Sequence, residues 1–254
     1  MTKFSAVIIT KNEADNIERC IRSLLPITDE VLIVDSGSTD KTKEIAQRLG
    51  ARILETSWKG YAATKNIGNK AASNDWIISI DADEVLSEKL QHSILTLEPK
   101  VNTVYIFNRM TNYCGKWIKH SGWFPDKKVR IFNRAQIYWQ GDYVHETLNI
   151  PVAYDTLELP GILEHYSYKS LDDHWQRLNK YAELSAQELH AKGKKATWIK
   201  RWLAPSFRFF RTLILKKGIL DGKEGWIISS RNAYLVRKKY RLLNQLNNTN
   251  NERP

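Results

Sequence analysis

The chain has 254 residues, 42% of them hydrophobic, which suits one α/β domain with an appendage better than two full domains. Its formal net charge of +11 is uneven, because residues 192–241 carry 15 Lys and Arg against two acids and so contribute +13. The two cysteines lack metal-ligand spacing, no signal segment precedes the first strand pattern, and no uncharged apolar run could span a bilayer. We therefore expect a reduced, cytoplasmic protein whose basic segment meets an anionic partner, either nucleic acid or a membrane surface.

Four short runs rich in β-branched residues, each followed by a helical pattern, occupy the first hundred residues. The predicted strands are 4–10, 30–35, 51–55 and 76–81, and the predicted helices are 14–25, 41–49, 61–72 and 88–97. This alternation implies right-handed crossovers and a mostly parallel sheet covered on both faces. Polar residues at the ends of the first, second and fourth strands should therefore meet at one edge of the sheet, where open α/β folds bind ligands.

After about residue 104 the pattern changes to short, aromatic-rich strands, predicted at 104–108, 128–133 and 143–150. Apolar residues at helical spacing predict a helix over 171–191, and the basic segment follows it. The Asn-rich end of the chain is predicted to be disordered. The sequence thus divides into an α/β domain with halves 1–100 and 101–168, a helical basic extension at 169–243, and a disordered tail at 244–254.

Carboxylates end two of the predicted strands. Asp35 precedes a small-residue turn and is placed to accept hydrogen bonds from a base or a ribose hydroxyl, although a plain strand–turn–helix junction is the alternative. Asp81 and Asp83 follow a buried strand that delivers both acids to the same edge. Because Mg²⁺ and Mn²⁺ take one or two carboxylates together with phosphate oxygens, this pair indicates a metal ion that neutralises a leaving diphosphate.

Three strings carry a resemblance to a known family: VIITKNEADNIERCIRSL, VLIVDSGSTDKT and AATKNIGNKAASNDWIISIDADE. They resemble the nucleotide-binding half of family 2 glycosyltransferases, which share the GT-A fold and invert the anomeric centre. Three further strings are similar to the bacterial lipopolysaccharide core glucosyltransferase subfamily: KKVRIFNR, GDYVHE and RFFRTLILKKGILDGKEGW. The resemblance implies a Rossmann-like, nucleotide-sugar-binding GT-A fold, with 1–100 as the nucleotide-binding half and 101–168 as the acceptor half, followed by a basic amphipathic helical extension.

The resemblance also implies roles for particular residues. Four of them would contact the nucleoside of a UDP-sugar: Thr10, Asn12, Glu13 and Asp35. Lys65 and Asn66 would lie near the base or the phosphates, although Lys65 could equally be a solvated helical lysine. Asp81 would hold the donor sugar or ribose, and Asp83 would bind the metal ion directly.

An inverting transfer needs a base on the acceptor side that takes the hydroxyl proton. The fold usually supplies an aspartate from a Glu-Asp pair, and the acceptor half of this sequence has no such pair. We expect Glu146 to be the base and His145 to bind the metal or a phosphate, unless both only form hydrogen bonds within the acceptor half. Asp126 is the reserve base or an acceptor contact. Arg130 could bind a phosphate, or simply form a salt bridge as strand arginines often do.

The basic segment has an amphipathic pattern over residues 198–214. Pro205 interrupts this pattern and predicts two short helices or a kinked one. One half of the helical wheel is apolar and carries Trp198, Trp202, Phe209, Phe210, Leu213 and Ile214. The other half is basic and carries Lys200, Arg201, Arg208 and Arg211. This pattern is typical of a helix in a membrane interface, although a pair of helices packed on the core with a solvated basic face would share it.

These observations predict an inverting transfer of a hexose, glucose by the subfamily resemblance, from a UDP-sugar to an inner-core heptose of lipopolysaccharide with a β linkage. The enzyme would be peripheral on the cytoplasmic face of the inner membrane, bound to its anionic surface. A transferase of the same fold that acts on another lipid-linked or capsular glycan is the alternative. A basic nucleic-acid-binding module is the remote one, since no RNA-binding or DNA-binding fold is recognisable and strand-end carboxylates oppose polyanion binding.

Overall fold

The structure is a computed structural model that describes residues 2–141 and 146–249. Its strands are β1 Phe4–Thr10, β2 Glu30–Asp35, β3 Arg52–Glu55, β4 Trp76–Asp81, β5 Glu84–Leu86, β6 Thr103–Tyr113, β7 Lys116–Trp117, β8 Asp126–Asn133, β9 Trp139–Gln140, β10 Thr147–Leu148 and β11 Asp155–Tyr168. Its α-helices are α1 Ile17–Leu24, α2 Thr42–Arg48, α3 Tyr61–Ala71, α4 Glu88–Leu95, α5 Leu171–Ala191, α6 Trp198–Phe210 and α7 Gly222–Thr249. A π-helical turn, Arg211–Leu215, and a 3₁₀ turn, Gly218–Asp221, join α6 to α7.

The main sheet has the strand order β3-β2-β1-β4-β8-β6-β11-β5. Its first four strands are parallel, as predicted, whereas β8 pairs antiparallel with both β4 and β6. The register of β1 sets Thr10 beside Asp35 of β2 and Ile9 beside Asp81 of β4. Strand order reverses between β1 and β4, so the predicted polar strand ends meet at a topological switch point.

Apolar residues cover both faces of the parallel strands. Along β1, Ala6 and Ile8 belong to one core cluster and Val7 to another, because successive strand residues point to opposite faces. Helix α1 contributes Ile21 to the first cluster, and α3 contributes Ala62 to the second. The predicted α/β class with helices on both faces is therefore confirmed.

The chain divides into two compact units, residues up to 110 with 126–166, and residues 111–125 with 167 onward. The second unit thus takes in 111–125, which the sequence analysis assigns to the acceptor half. Of the two forms predicted at Pro205, the structure excludes two short helices, because α6 is a single helix. Helix α7 differs from expectation, since it continues through residues 244–249, which are predicted to be disordered. In the described part of the chain, no helix is long and apolar enough to cross a membrane.

Candidate active site

Asp35 occupies the end of β2 as a fully buried carboxylate. Its Oδ1 accepts hydrogen bonds from the backbone N–H groups of Gly37 at 3.0 Å and Ser38 at 2.8 Å. Its Oδ2 accepts from the hydroxyls of Thr10 at 3.0 Å and Ser38 at 2.5 Å. Burial raises the pKa of Asp35, but these hydrogen bonds outweigh burial and hold the pKa below its usual value. The carboxylate is therefore ionised at neutral pH, and its four acceptor positions are all in use.

The loop after β1 is tied to the loop after β2. Asn12 has a left-handed backbone, with φ of 58°, and its N–H donates to Ser38 Oγ at 2.9 Å. The Asn12 side-chain oxygen accepts from the Thr39 N–H at 2.8 Å, and the Glu13 N–H donates to Thr42 Oγ1 at 2.8 Å. The four residues predicted to contact a nucleoside are thus brought together at one edge of the sheet.

Asp81 ends β4 between two buried cations. Its Oδ1 lies 3.2 Å from Lys65 Nζ, and its Oδ2 lies 2.9 Å from Arg130 Nη2. Burial would raise the pKa of Asp81, but the charges of Lys65 and Arg130 outweigh it and hold that pKa well below the usual range. The side chain is still 31% exposed, so part of the carboxylate remains open to a ligand.

Lys65 is 3% exposed, so the alternative of a solvated helical lysine is wrong. Its ammonium also lies 3.2 Å from Glu146 Oε1 and 4.4 Å from the centre of the Trp139 ring. The neighbouring Asn66 donates to the Trp139 carbonyl at 2.7 Å and accepts from its N–H at 2.9 Å. Lys65 thus forms ion pairs with both Glu146 and Asp81 and links the two carboxylates. Asn66 binds the backbone of β9.

Asp83 lies in the turn between β4 and β5. Its Oδ2 is 3.2 Å from the Nε2 atom of His165, and its carbonyl accepts from the Tyr166 N–H at 2.8 Å. His165 reaches this position because β11 pairs antiparallel with β5, which sets His165 opposite Glu84. His165 could not be predicted from the sequence, since only the strand pairing brings it to the turn that carries Asp83.

A buried ion-pair network surrounds Glu84, which directly follows Asp83 in the sequence. Glu84 is fully buried, and its Oε1 lies 2.5 Å from Arg130 Nη2 and 3.1 Å from Arg109 Nη1. Arg109 also binds Asp126, at 2.6 Å. Arg130 is only 3% exposed, and its guanidinium forms salt bridges with Asp81 and Glu84. Arg130 therefore forms salt bridges, as the alternative predicted, and its contact with a phosphate stays a prediction.

The two residues predicted to bind a metal ion are Asp83 and His145. His145 lies outside the described residues, so its predicted contact with a metal or a phosphate stays a prediction. Across residues 2–141 and 146–249, no three His, Cys, Asp or Glu side chains are grouped so that they could hold a metal ion. Asp83 and His165 nevertheless form a pair of donors of the kind that a substrate-bound cation can share.

Several known proteins are similar to this chain. The family model "Glycosyl transferase family 2" matches residues 5–154. An uncharacterized glycosyltransferase of Rickettsia bellii is 32% identical over 248 residues, 89% of this chain and 81% of the relative. The lipopolysaccharide core biosynthesis glycosyltransferase LpsC of Rhizobium meliloti is 28% identical over 226 residues, 85% of this chain and 82% of the relative. A crystal structure of Mycobacterium tuberculosis glucosyl-3-phosphoglycerate synthase, in complex with Mn²⁺, UDP and glucosyl-3-phosphoglycerate, is 19% identical with a TM-score of 0.47, over 76% of this chain and 81% of that one.

Proposed function

The chain belongs to glycosyl transferase family 2 and is a glycosyltransferase, and on that premise we propose that it transfers a hexose, with inversion, from a UDP-sugar to a lipid-linked glycan. One observation carries the proposal: Asp35 and Asp81 end strands on either side of β1, beside the point where strand order reverses. Two strand spacings correspond to about 10 Å. That span suits a nucleoside at Asp35 and a diphosphate near Asp81.

The nucleoside would bind at the loops after β1 and β2. Because the chain fills all four acceptor positions of Asp35, a donor N–H or hydroxyl must replace one of its present partners. The hydroxyls of Thr10 and Ser38 can rotate away, whereas the backbone N–H groups cannot. Asp35 would therefore exchange a hydroxyl for the nucleoside without giving up the hydrogen bonds that hold its own turn.

The divalent cation would be held by Asp83 and His165. A carboxylate oxygen and an imidazole nitrogen that lie 3.2 Å apart leave the remaining coordination positions to diphosphate oxygens and water. The nitrogen donor favours Mn²⁺ over Mg²⁺, which prefers oxygen ligands. When bound, the cation would neutralise charge on the departing diphosphate.

Glu146 is the proposed base. The acceptor hydroxyl oxygen would attack the anomeric carbon in line, the bond from that carbon to the diphosphate would break, and the hydroxyl proton would pass to the Glu146 carboxylate. Asp126 is the weaker candidate. Burial raises the pKa of Asp126, but Arg109 and Lys128 outweigh burial and lower it, which reduces its strength as a base. In the part of the chain that the structure describes, Glu146 contacts one cation, Lys65, whereas Asp126 contacts two.

The finer identity of the proposed reaction rests on the sequence resemblance and on one relative. The relative from Rhizobium meliloti is named as a lipopolysaccharide core biosynthesis glycosyltransferase, which supports a lipopolysaccharide core sugar as the acceptor. Heptose as that sugar, glucose as the donor sugar and a β linkage are what the subfamily resemblance implies. The net charge of +13 over residues 192–241 supports binding at the anionic cytoplasmic face of the inner membrane. Another lipid-linked or capsular glycan is the alternative acceptor.

Thermal unfolding of the full chain with UDP, UDP-glucose and UDP-galactose, with and without Mn²⁺, tests the donor. A ligand at about 100 times its Kd stabilises the folded state by about 2.7 kcal/mol, so a bound donor raises the transition temperature clearly. We expect a metal-dependent shift with UDP and the largest shift with UDP-glucose. If no uridine nucleotide at millimolar concentration moves the transition, the proposed donor is wrong.

Two variants test the metal pair. Asp83→Ala and His165→Ala should each remove the Mn²⁺-dependent part of the UDP shift, because each deletes one proposed ligand. Asp155→Asn, a change at an exposed carboxylate in the same unit, serves as the control and should leave the shift intact. A full metal-dependent shift in either alanine variant would exclude that residue as a ligand.

A third variant tests the base. Glu146→Gln should lower the rate of sugar transfer by about 10²–10⁴-fold while leaving UDP binding measurable, because a base acts on the acceptor and not on the nucleotide. Asp126→Asn is the matched comparison. A larger loss of rate in Asp126→Asn than in Glu146→Gln would reverse the assignment of the base.

A further inference from the structure

The connection between α6 and α7 presents four large aliphatic side chains to solvent. Ile214 is 52% exposed, Leu215 69%, Ile219 62% and Leu220 65%, and we call these four residues the aliphatic turn. Removing so many large apolar groups from water would be favourable, and the fold of this chain does not bury them. The surface could therefore be covered by the apolar part of a partner.

The backbone of this connection is closely packed, so the exposure is not that of a loose loop. Gly218 is buried, and a Cβ atom added to it would lie 2.8 Å from the Thr212 carbonyl oxygen. A Cβ atom added to Gly225 would lie 1.8 Å from the Gly218 carbonyl oxygen. The carboxylate of Asp221 accepts from the Ser121 hydroxyl at 2.7 Å and from the Lys119 N–H at 3.1 Å. With the main chain fixed in this way, the aliphatic side chains point outward as part of the fold.

An apolar stripe on α6 adds to the same kind of surface. It consists of Ile199, Leu203, Phe207 and Phe210, which are 61%, 53%, 63% and 60% exposed. Steps of four, four and three residues keep these side chains within one narrow sector of the helix. Contiguous exposed apolar surface of this kind marks a site of interaction with a membrane or another protein.

The charges around the surface indicate which partner covers it. Lys216 and Lys217 are exposed inside the aliphatic turn, and Lys200 and Arg211 lie on α6 and in the π-helical turn. Among the described residues, none of these four cations forms a salt bridge with an acid. A second copy of the chain would bring the same unpaired positive charges face to face, whereas a surface of phospholipid phosphates would neutralise them.

We propose that the aliphatic turn and the α6 stripe insert into the headgroup and upper acyl region of an anionic phospholipid bilayer, with Lys216 and Lys217 at the level of the phosphates. This inference rests on the membrane contact in the proposed function. It goes further, because attraction between the cations and the lipid phosphates would not by itself require apolar side chains to enter the bilayer. The inserted groups would hold the second unit at the bilayer surface where a lipid-linked acceptor is presented.

Binding of the full chain to vesicles tests the insertion. The probe is phosphatidylcholine vesicles containing about a quarter phosphatidylglycerol, and the readout is co-sedimentation. Leu215→Ser with Leu220→Ser should weaken partition by at least about tenfold, because two large aliphatic groups lose their burial. The matched control is Leu95→Ser with Leu157→Ser, which removes leucines of 52% and 50% exposure from the first unit. Equal partition of the two double variants would overturn the proposal.

A fluorescent label distinguishes insertion from self-association. In a Cys114→Ser background, which removes the exposed cysteine, an environment-sensitive dye is attached at Leu220→Cys or, as the control, at Leu95→Cys. We expect a blue shift on adding vesicles for the label at position 220 alone. A blue shift that depends on protein concentration without vesicles would mean that a second copy covers the surface, and would overturn the proposal.

The test of membrane insertion and the test of the sugar donor can fail independently of each other. If the UDP shift fails in a protein whose label at position 220 still inserts, the proposed reaction is wrong and the membrane surface stands. If the UDP shift is retained and the label does not respond, the membrane surface is wrong and the donor site stands.

Discussion

Asp81 is linked by salt bridges to two other parts of the candidate site. It shares Lys65 with Glu146 and shares Arg130 with the buried Glu84. Charges that are removed from water in this way stabilise a protein only while they stay paired. Neutralising Asp81 would leave two buried cations with one acid fewer, which makes the site sensitive to protonation.

Replacing Asp81 with Asn should therefore destabilise the protein at neutral pH, by about 1–3 kcal/mol, less than for a fully buried pair because the side chain is partly exposed. The folded-state pKa of Asp81 lies below its unfolded value, so its stabilisation is complete above about pH 4 and is lost as the pH falls toward the folded pKa. Urea unfolding of both proteins from neutral pH to about pH 3 measures this. A difference in unfolding free energy that does not shrink in acid would contradict it.

The exchange proposed at Asp35 gives a second test. Asp35→Asn should weaken UDP binding by about tenfold or more, since a hydrogen bond to a charged group contributes about 1.5–3 kcal/mol. Ser38→Ala should weaken it less, because its hydroxyl occupies the position on Asp35 that the nucleoside would take, and the change costs beyond that only the acceptor of the Asn12 N–H. Calorimetric titration with UDP measures both. Equal losses in the two variants would mean that Asp35 shapes the loop without touching the nucleotide.

The sequence predicted the individual acids better than their partners. Asp35 and Asp81 were singled out because each ends a buried strand, and Asp83 because it follows one by two residues, a pattern that can be recognised locally. His165 and Arg109 were missed because they reach the acids only through the antiparallel pairing of later strands, which sequence spacing does not reveal. Their roles depend on register, and register is a property of the folded sheet.

Among the elements, the parallel strands were predicted almost to the residue, because β-branched runs bounded by polar turns fix them. The long strands β6 and β11 were not predicted over their full lengths, because buried and less buried residues do not alternate regularly along them. The helical wheel also put Leu213 on the apolar membrane side, whereas that residue is buried and Phe207 is exposed instead. The π-helical turn after α6 breaks the regular spacing on which the wheel depends.

The start of α7 carries a test of how the aliphatic turn is held. Gly225→Ala should lower the unfolding free energy by about 1–3 kcal/mol, because its new methyl group would overlap the Gly218 carbonyl unless the backbone shifts. Lys223→Ala, an exposed change in the same turn, should stay within about 0.5 kcal/mol of the wild type. Thermal unfolding compares the two. A neutral Gly225→Ala would show that the connection has room to move.

For the molecule as a whole, the positive charge is concentrated in one part of the chain. Residues 192–241 carry +13, so all other residues together carry −2. This basic segment belongs to the second unit, whereas Asp35 and Asp81 belong to the first. We therefore expect salt to weaken the proposed membrane binding more than the proposed donor binding.

Raising the salt concentration from about 0.1 M to about 0.5 M should weaken partition onto phosphatidylglycerol vesicles severalfold, since the Debye length falls from about 10 Å at the lower concentration toward about 3 Å at 1 M. The UDP-dependent thermal shift should fall less than vesicle partition over the same range. The residual binding at high salt measures the apolar contribution, so it should disappear in the Leu215→Ser, Leu220→Ser variant and persist in the wild type. Partition that vanishes completely in high salt for the wild type would mean that the cations act without the aliphatic turn.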